Sequence, residues 1–213
     1  MIDLWYLDTV NVSQIDMESM LKSLPNNMHK EIMRFQNHQD RRLKLYSKLM
    51  VKKYFEVSNR TFSWSNWQIS PGGKPFYSGG KKFNISHSGS FVTVAFSDKE
   101  IGIDIEKCSD FDISTVLDYL HVQEKEFILD ANDSSDAFFT VWTRKEAYLK
   151  AKGIGIVEGL HHENCLEPSI GFENKWFTTS LSIAANYKLA LCSQIPNIQI
   201  NKLELDPTLF YNE

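Results

Sequence analysis

The chain is poor in the features that would take it out of the ordinary globular class. It has three cysteines in 213 residues, Cys108, Cys165 and Cys192, and no Cys-x-x-Cys pair. An odd number at wide spacing argues against a disulfide framework or a cysteine zinc cage, and predicts a reducing, cytoplasmic setting. No long uncharged apolar run occurs, so no membrane span is expected. The first residues, Met1-Ile2-Asp3-Leu4-Trp5-Tyr6, lack the basic start and apolar core of a signal peptide. A basic excess is missing too. The net charge is −4, which gives no global field for nucleic acid and leaves only local basic patches for an anionic ligand. What is present is a core. Hydrophobic residues make up 42% and aromatics 13%, and the length suffices for one large domain or two small ones.

The pattern predicts an α+β fold. Strands are expected over 2–7, 83–86, 91–97, 101–106, 175–183, 187–193 and 198–205. Helical periodicity runs over 16–35 with a break near Pro25, and over 38–57, where Leu43, Tyr46, Met50, Tyr54 and Val57 share one side. Short helices are expected near 113–120 and 122–130. A longer one spans about 135–152, capped by Asp133 or Ser134 and ended by Gly153. Residues 91–97 resemble 187–193. The chain therefore reads as two similar α+β halves, 1–103 and 104–213, packed side by side in a pseudo-twofold arrangement with a ligand cleft between them.

Two segments carry the chemical signal. Asp104 and Glu106 alternate with Ile101, Ile103 and Ile105, so both carboxylates lie on one strand face. Glu146 and Lys150 stand at i, i+4 on one helix face. Three oxygen ligands beside a lysine suit a hard divalent cation and a phosphate ester. Each pair also has a plainer reading, as a strand with one wet face and as a surface ion pair. Gly102 favours the metal reading of the strand pair, because a glycine in a strand permits close backbone approach. Asn84-Ile85-Ser86-His87-Ser88-Gly89 reads either as a tight loop or as a donor to phosphate through His87. Arg41, Lys44, Lys48 and Lys52 form a basic stripe, either solvated or used for phosphate. Gly153-x-Gly155 follows a helix, Gly72-Gly73-Lys74 lacks phosphate-loop spacing, and His161-His162 point apart, so none of these forms a recognised site.

Asn84-Ile85-Ser86-His87-Ser88, Gly102-Ile103-Asp104-Ile105-Glu106 and Trp142-x-x-Lys145-Glu146-Ala147-x-x-Lys150, with Gly73-Lys74-Pro75, resemble the 4′-phosphopantetheinyl transferases. The length and two-half layout are similar to the Sfp-type branch, a pseudo-dimer in one chain. The resemblance implies transfer of the 4′-phosphopantetheine arm of coenzyme A to a serine of an apo acyl or peptidyl carrier protein, releasing adenosine 3′,5′-bisphosphate. It implies a Mg²⁺ site, open also to Mn²⁺, made by Asp104, Glu106 and Glu146. Glu146, or a water held by Glu106, would act as base, and Lys150 would meet the pyrophosphate. Lys74, Ser86 and His87 would contact coenzyme A. The chain departs from the family pattern at Met28 and Glu31, where bases usually meet the 3′-phosphate; Arg41 and Lys44, with His29, Lys30 and Arg34, are the nearby substitutes. A monomeric cytoplasmic enzyme of fatty-acid, polyketide or nonribosomal-peptide synthesis is implied, with no nucleic-acid or membrane partner. A metal phosphoesterase and a non-catalytic coenzyme A- or carrier-binding relative are the alternatives.

Overall fold

The computed structural model describes residues 1–10, 12, 14–58, 61–155, 161–171 and 175–211. The N-terminal part opens with strand β1 (Ile2–Asp8) and helices α1 (Gln14–Lys22), α2 (Asn26–Met33) and α3 (His38–Val57). Pro25 separates α1 from α2, because it cannot donate within a continuing helix. Asn37 starts α3, its side chain accepting the Gln39 N–H at 2.8 Å. A short hairpin, β2 (Trp67–Ile69) with β3 (Pro75–Tyr77), leads to β4 (Lys82–Ser88) and β5 (Phe91–Ser97).

Strand β6 (Ile101–Lys107) begins a second sheet. After it come α4 (Ser114–Leu117), α5 (Val122–Leu129), α6 (Ser134–Lys152), β7 (Ser169–Ile170), β8 (Trp176–Leu181), β9 (Tyr187–Ser193) and β10 (Ile200–Glu204). Asp133 caps α6 by accepting the Asp136 N–H, and Gly153 ends it at φ 71°, in the left-handed region that favours glycine. The α+β class read from the sequence holds.

The strands form two four-stranded sheets, ordered β10-β1-β5-β4 and β6-β9-β8-β7. Strand β10 runs parallel to β1, with Ile2 opposite Ile200. The end of the chain thus completes the sheet that its beginning starts. A division at 103/104 falls inside β6, whose seven residues all belong to the second sheet.

The alternation of each strand sorts its side chains into cores. Trp5, Leu7, Val92, Val94 and Phe96 face α3, packing with Tyr46, Tyr54 and Phe55. Ile2, Leu4, Phe91 and Ala95 face the other way and meet Ile101, Ile103, Ile105, Leu189 and Leu191 of the second sheet. Ala190 and Cys192 point onward to Phe138, Val141, Ala147 and Tyr148 of α6. The order is helix, sheet, sheet, helix, and the isoleucines of β6 leave Gly102, Asp104 and Glu106 for its α6 side. No helix among the described residues is long and apolar enough to cross a membrane.

Candidate active site

The site is set by how closely α6 lies on β6. A Cβ on Gly102 would stand 1.9 Å from the Ala147 carbonyl oxygen and 2.4 Å from the Ala151 nitrogen. Only glycine fits there, and Ala147 and Ala151 on α6 are themselves small. One residue earlier in each turn, Glu146 and Lys150 therefore come down beside Asp104 and Glu106.

Asp104 is 2% exposed and Glu146 6% exposed. The Lys150 ammonium donates to Asp104 Oδ1 at 2.5 Å and to Ser86 Oγ at 3.2 Å. Ser86 Oγ donates to the same Asp104 oxygen at 3.0 Å, and Ser88 Oγ donates to Glu106 Oε2 at 2.8 Å. Asp104 Oδ2 and Glu146 Oε1 are buried and have no hydrogen-bond partner among the described residues. Burial raises all three carboxyl groups above their ordinary range, with Lys150 pulling the other way. Glu146 is pushed up to about 7, first by burial and then by the charges of Asp104 and Glu106.

Basic groups approach from β4 and from α3. His87 is pushed down to about 4, mainly by burial and then by the neighbouring charges of Lys44 and Lys150. It is neutral near pH 7 and can offer one N–H. Lys44 is lowered by burial and by Lys48, and its ammonium sits 5.7 Å from the centre of the Phe35 ring. The basic stripe of α3 is not uniformly solvated. Lys48 is 7% exposed, pairs with Glu31 at 3.4 Å and lies over the Trp67 ring. Glu31, the acidic residue at an expected basic position, thus has a local partner. Arg41 points its Nε to the Phe35 carbonyl at 2.7 Å, in a hollow with His29 and His38.

Lys74 stands elsewhere. Its ammonium donates to the Ile101 carbonyl at 2.8 Å, at the opposite end of β6 from Glu106. Glu106 lies five strand positions further on, roughly 17 Å of chain. Next to Glu106, an apolar hollow of about 370 Å³ is lined by Ser88, Phe111, Val116, Phe138, Phe139 and Trp142. A hollow of about 480 Å³ against Tyr148, Lys152 and Trp176 lies towards Glu100, before the start of β6.

Two family models divide the chain between them. The one described as "4′-phosphopantetheinyl transferase superfamily" matches residues 100–192, and the one described as "4′-phosphopantetheinyl transferase, N-terminal" matches 11–99. Together they run without a gap from 11 to 192. The chain belongs to the 4′-phosphopantetheinyl transferase superfamily.

Individual members of the superfamily align over different spans. The 4′-phosphopantetheinyl transferase gsp of Aneurinibacillus migulanus is 29% identical over 96% of this chain and 92% of its own length. Sfp of Bacillus subtilis (strain 168) is 28% identical over 54% of this chain, and the alignment spans 56% of that protein. The L-aminoadipate-semialdehyde dehydrogenase-phosphopantetheinyl transferase of Schizosaccharomyces pombe is 31% identical over 63% of this chain and 61% of its own length. The boundary between the two superfamily models, 99/100, falls in the turn between β5 and β6.

Sequence reasoning left out several residues that hold the site. Lys145, beside Glu146 in the same motif, forms a buried ion pair with Glu124 at 2.8 Å and donates to the Glu163 carbonyl at 2.8 Å. Glu124 also accepts the Cys165 and His121 N–H groups. This network fastens α5 and residues 163–165 to α6. Its satisfied lone pairs are what make a buried charge pair tolerable. Ser88 and Asn84 were likewise passed over as turn formers. Their signal was there: polar residues at 84, 86 and 88 alternate in step with 102, 104 and 106.

Proposed function

We propose that this chain transfers the 4′-phosphopantetheine arm of coenzyme A to a serine of an apo acyl or peptidyl carrier protein, with Mg²⁺ and with release of adenosine 3′,5′-bisphosphate. The observation that carries the reading is the pair of buried, unpartnered carboxylate oxygens, Asp104 Oδ2 and Glu146 Oε1, in a cluster of three carboxylates served by one ammonium. Such a cluster is costly without a further cation. Among the described residues no three His, Cys, Asp or Glu side chains are grouped so as to hold a metal ion by themselves, so a cation here would need oxygens from the substrate as well. An open site that shares its metal with a substrate phosphate fits a hard cation.

Asp104, Glu106 and Glu146 would hold Mg²⁺ or Mn²⁺. When bound, the metal supplies charge neutralisation at the pyrophosphate. Lys150 would meet the pyrophosphate oxygens, and neutral His87 would donate to a phosphate. The carrier serine would attack the phosphorus bearing the pantetheine arm, and the bond from that phosphorus to the adenosine bisphosphate oxygen would break. The serine proton would go to Glu146, or to a water held by Glu106. The apolar hollow beside Glu106 would take the uncharged part of the arm. Ser86 and Lys74 are already committed to bonds within the fold, and we assign them to the scaffold rather than to coenzyme A. We read the two sheets, each with a long helix outside, as the halves of a pseudo-dimer acting as a cytoplasmic monomer.

Incubation with coenzyme A, Mg²⁺ and a panel of apo carrier proteins tests this. Intact mass should show one phosphopantetheine arm on the carrier, none in excess chelator, and recovery when Mg²⁺ is restored. Unmodified carriers together with hydrolysed coenzyme A would point to a phosphoesterase instead.

Lys44 and Arg41 are proposed for the 3′-phosphate. Losing one charged hydrogen bond typically costs about 1.5–3 kcal/mol, roughly 10–100-fold in affinity. Lys44→Ala should weaken coenzyme A by that much and leave 3′-dephospho-coenzyme A nearly unchanged. An equal loss for both ligands, measured by calorimetry, assigns Lys44 to general charge or packing.

A further inference from the structure

Strands β4 and β6 are the facing edges of the two sheets. An edge strand presents a row of unpaired N–H groups that must find partners. Here the partners are side chains. Asn84 Oδ1 accepts the Ile103 N–H at 2.8 Å, Ser86 Oγ accepts the Ile105 N–H at 3.3 Å, and Ser88 Oγ accepts the Lys107 N–H at 3.0 Å. Three residues at two-residue spacing on β4 match three at two-residue spacing on β6, both running the same way. The two sheets are joined by a parallel ladder whose rungs are side chain to backbone.

The rungs are not equivalent. A serine hydroxyl has one proton and two lone pairs. Once the oxygen accepts a backbone N–H, its proton is free to point at a neighbour. Ser86 gives it to Asp104 and Ser88 gives it to Glu106, the residue just before the one whose N–H each serine holds. Asn84 stands at the matching place for residue 102, which is glycine and has no carboxylate to receive anything. We propose that Ser86 and Ser88 are positioning residues: each uses the backbone of β6 as an anchor and its proton to fix one carboxylate oxygen, Oδ1 of Asp104 and Oε2 of Glu106. The opposite oxygen of each is left for the cation. The inference rests on the metal reading given above.

The ladder contains its own control. Asn84→Ala removes a rung and strands a buried N–H without touching a carboxylate. Ser86→Ala and Ser88→Ala remove a rung and a carboxylate contact together. Mn²⁺ binding is read from the electron paramagnetic resonance signal of the free ion, with coenzyme A present and no carrier protein, so that no turnover occurs. Removing a partner that orients a metal ligand typically weakens metal binding by about 10–100-fold, and that loss is expected for both serine variants. Ser88→Thr keeps the hydroxyl and should return to within about threefold of the parent. All three alanine variants should melt a few degrees lower, roughly 2–4 °C for each kcal/mol lost in a chain of this size. Asn84→Ala should nevertheless bind Mn²⁺ within about twofold of the parent. The proposal is overturned if the serine variants bind Mn²⁺ like the parent. It is equally overturned if Asn84→Ala loses as much affinity as they do, since seam geometry would then be the cause. A parent protein that binds no Mn²⁺ even with coenzyme A overturns the metal reading and this inference together.

Discussion

Glu146→Gln is expected to lower kcat by at least roughly 10²-fold, the lower end of what a general base contributes. The substitution keeps the shape of the side chain and removes its charge and basicity. The structure adds a pH-dependent companion effect. The Glu146 carboxyl is raised from 4.5 to about 7 in the folded chain, chiefly by burial. Between those two values the folded state holds more protons than the unfolded state. Stability without ligand is therefore full below about pH 4.5 and is lost as pH rises through 7. The glutamine variant has no such loss. At pH 8, without metal, it should melt a few degrees above the parent, a difference on the order of 1–3 kcal/mol. At pH 4.5 the two should melt together. A surface pair with Lys150 would instead leave turnover alone and cost a few tenths of a kcal/mol at every pH. Turnover within tenfold of the parent, with parallel melting curves from pH 4.5 to 8, would remove Glu146 from the mechanism.

Gly102→Ala should be nearly as damaging, by a purely steric route. The added carbon would meet helix backbone at 1.9 and 2.4 Å, and backbone cannot rotate away as a side chain end can. Helix α6 must lift from β6. Overpacking of a close-packed core costs typically about 1–3 kcal/mol, and rigid backbone on both sides sets the cost here at the upper end. The lift also carries Glu146 and Lys150 away from Asp104. A misplacement of about 1 Å can cost on the order of 10²-fold in rate. Gly155→Ala is the matched control, because a Cβ there meets nothing within 4 Å. Circular dichroism melting and kcat for the two variants check the prediction. It fails if Gly102→Ala melts and turns over like Gly155→Ala.

Much of this architecture was legible because its signals are local. The bounds of α3, 38–57, follow from its apolar spacing, and the ends of α6 follow from Asp133 and Gly153. The alternation of isoleucines with Gly102, Asp104 and Glu106 fixed which residues of β6 share a face. Long-range placements were less legible. Nothing in Ile200–Glu204 marks it as a partner of β1 rather than of β9, since parallel pairing across the whole chain leaves no local trace. Asn84, Ser86 and Ser88 have the composition of a turn, and the strand expected to stop at Ser86 in fact runs on to Ser88. Their polarity serves the edge of β6, which cannot be seen from β4 alone. Lys48 reads from sequence as part of a stripe that is either solvated or used for phosphate, and Lys145 only as a letter of the Trp142–Lys150 motif. Each is buried against an acidic partner contributed by another helix.

The return of β10 to β1 also bears on how the protein is made. Tyr6 and Glu204, neighbours across that pairing, are 198 positions apart in the chain. At synthesis rates of about 5–20 residues per second, β1 emerges roughly 10–40 s before the strand that will cover its open edge. Throughout that interval an edge carrying Ile2 and Leu4 is exposed to other nascent chains. The first sheet to begin is thus the last to close, and its open edge is the place where a misfolded pairing during synthesis is to be looked for.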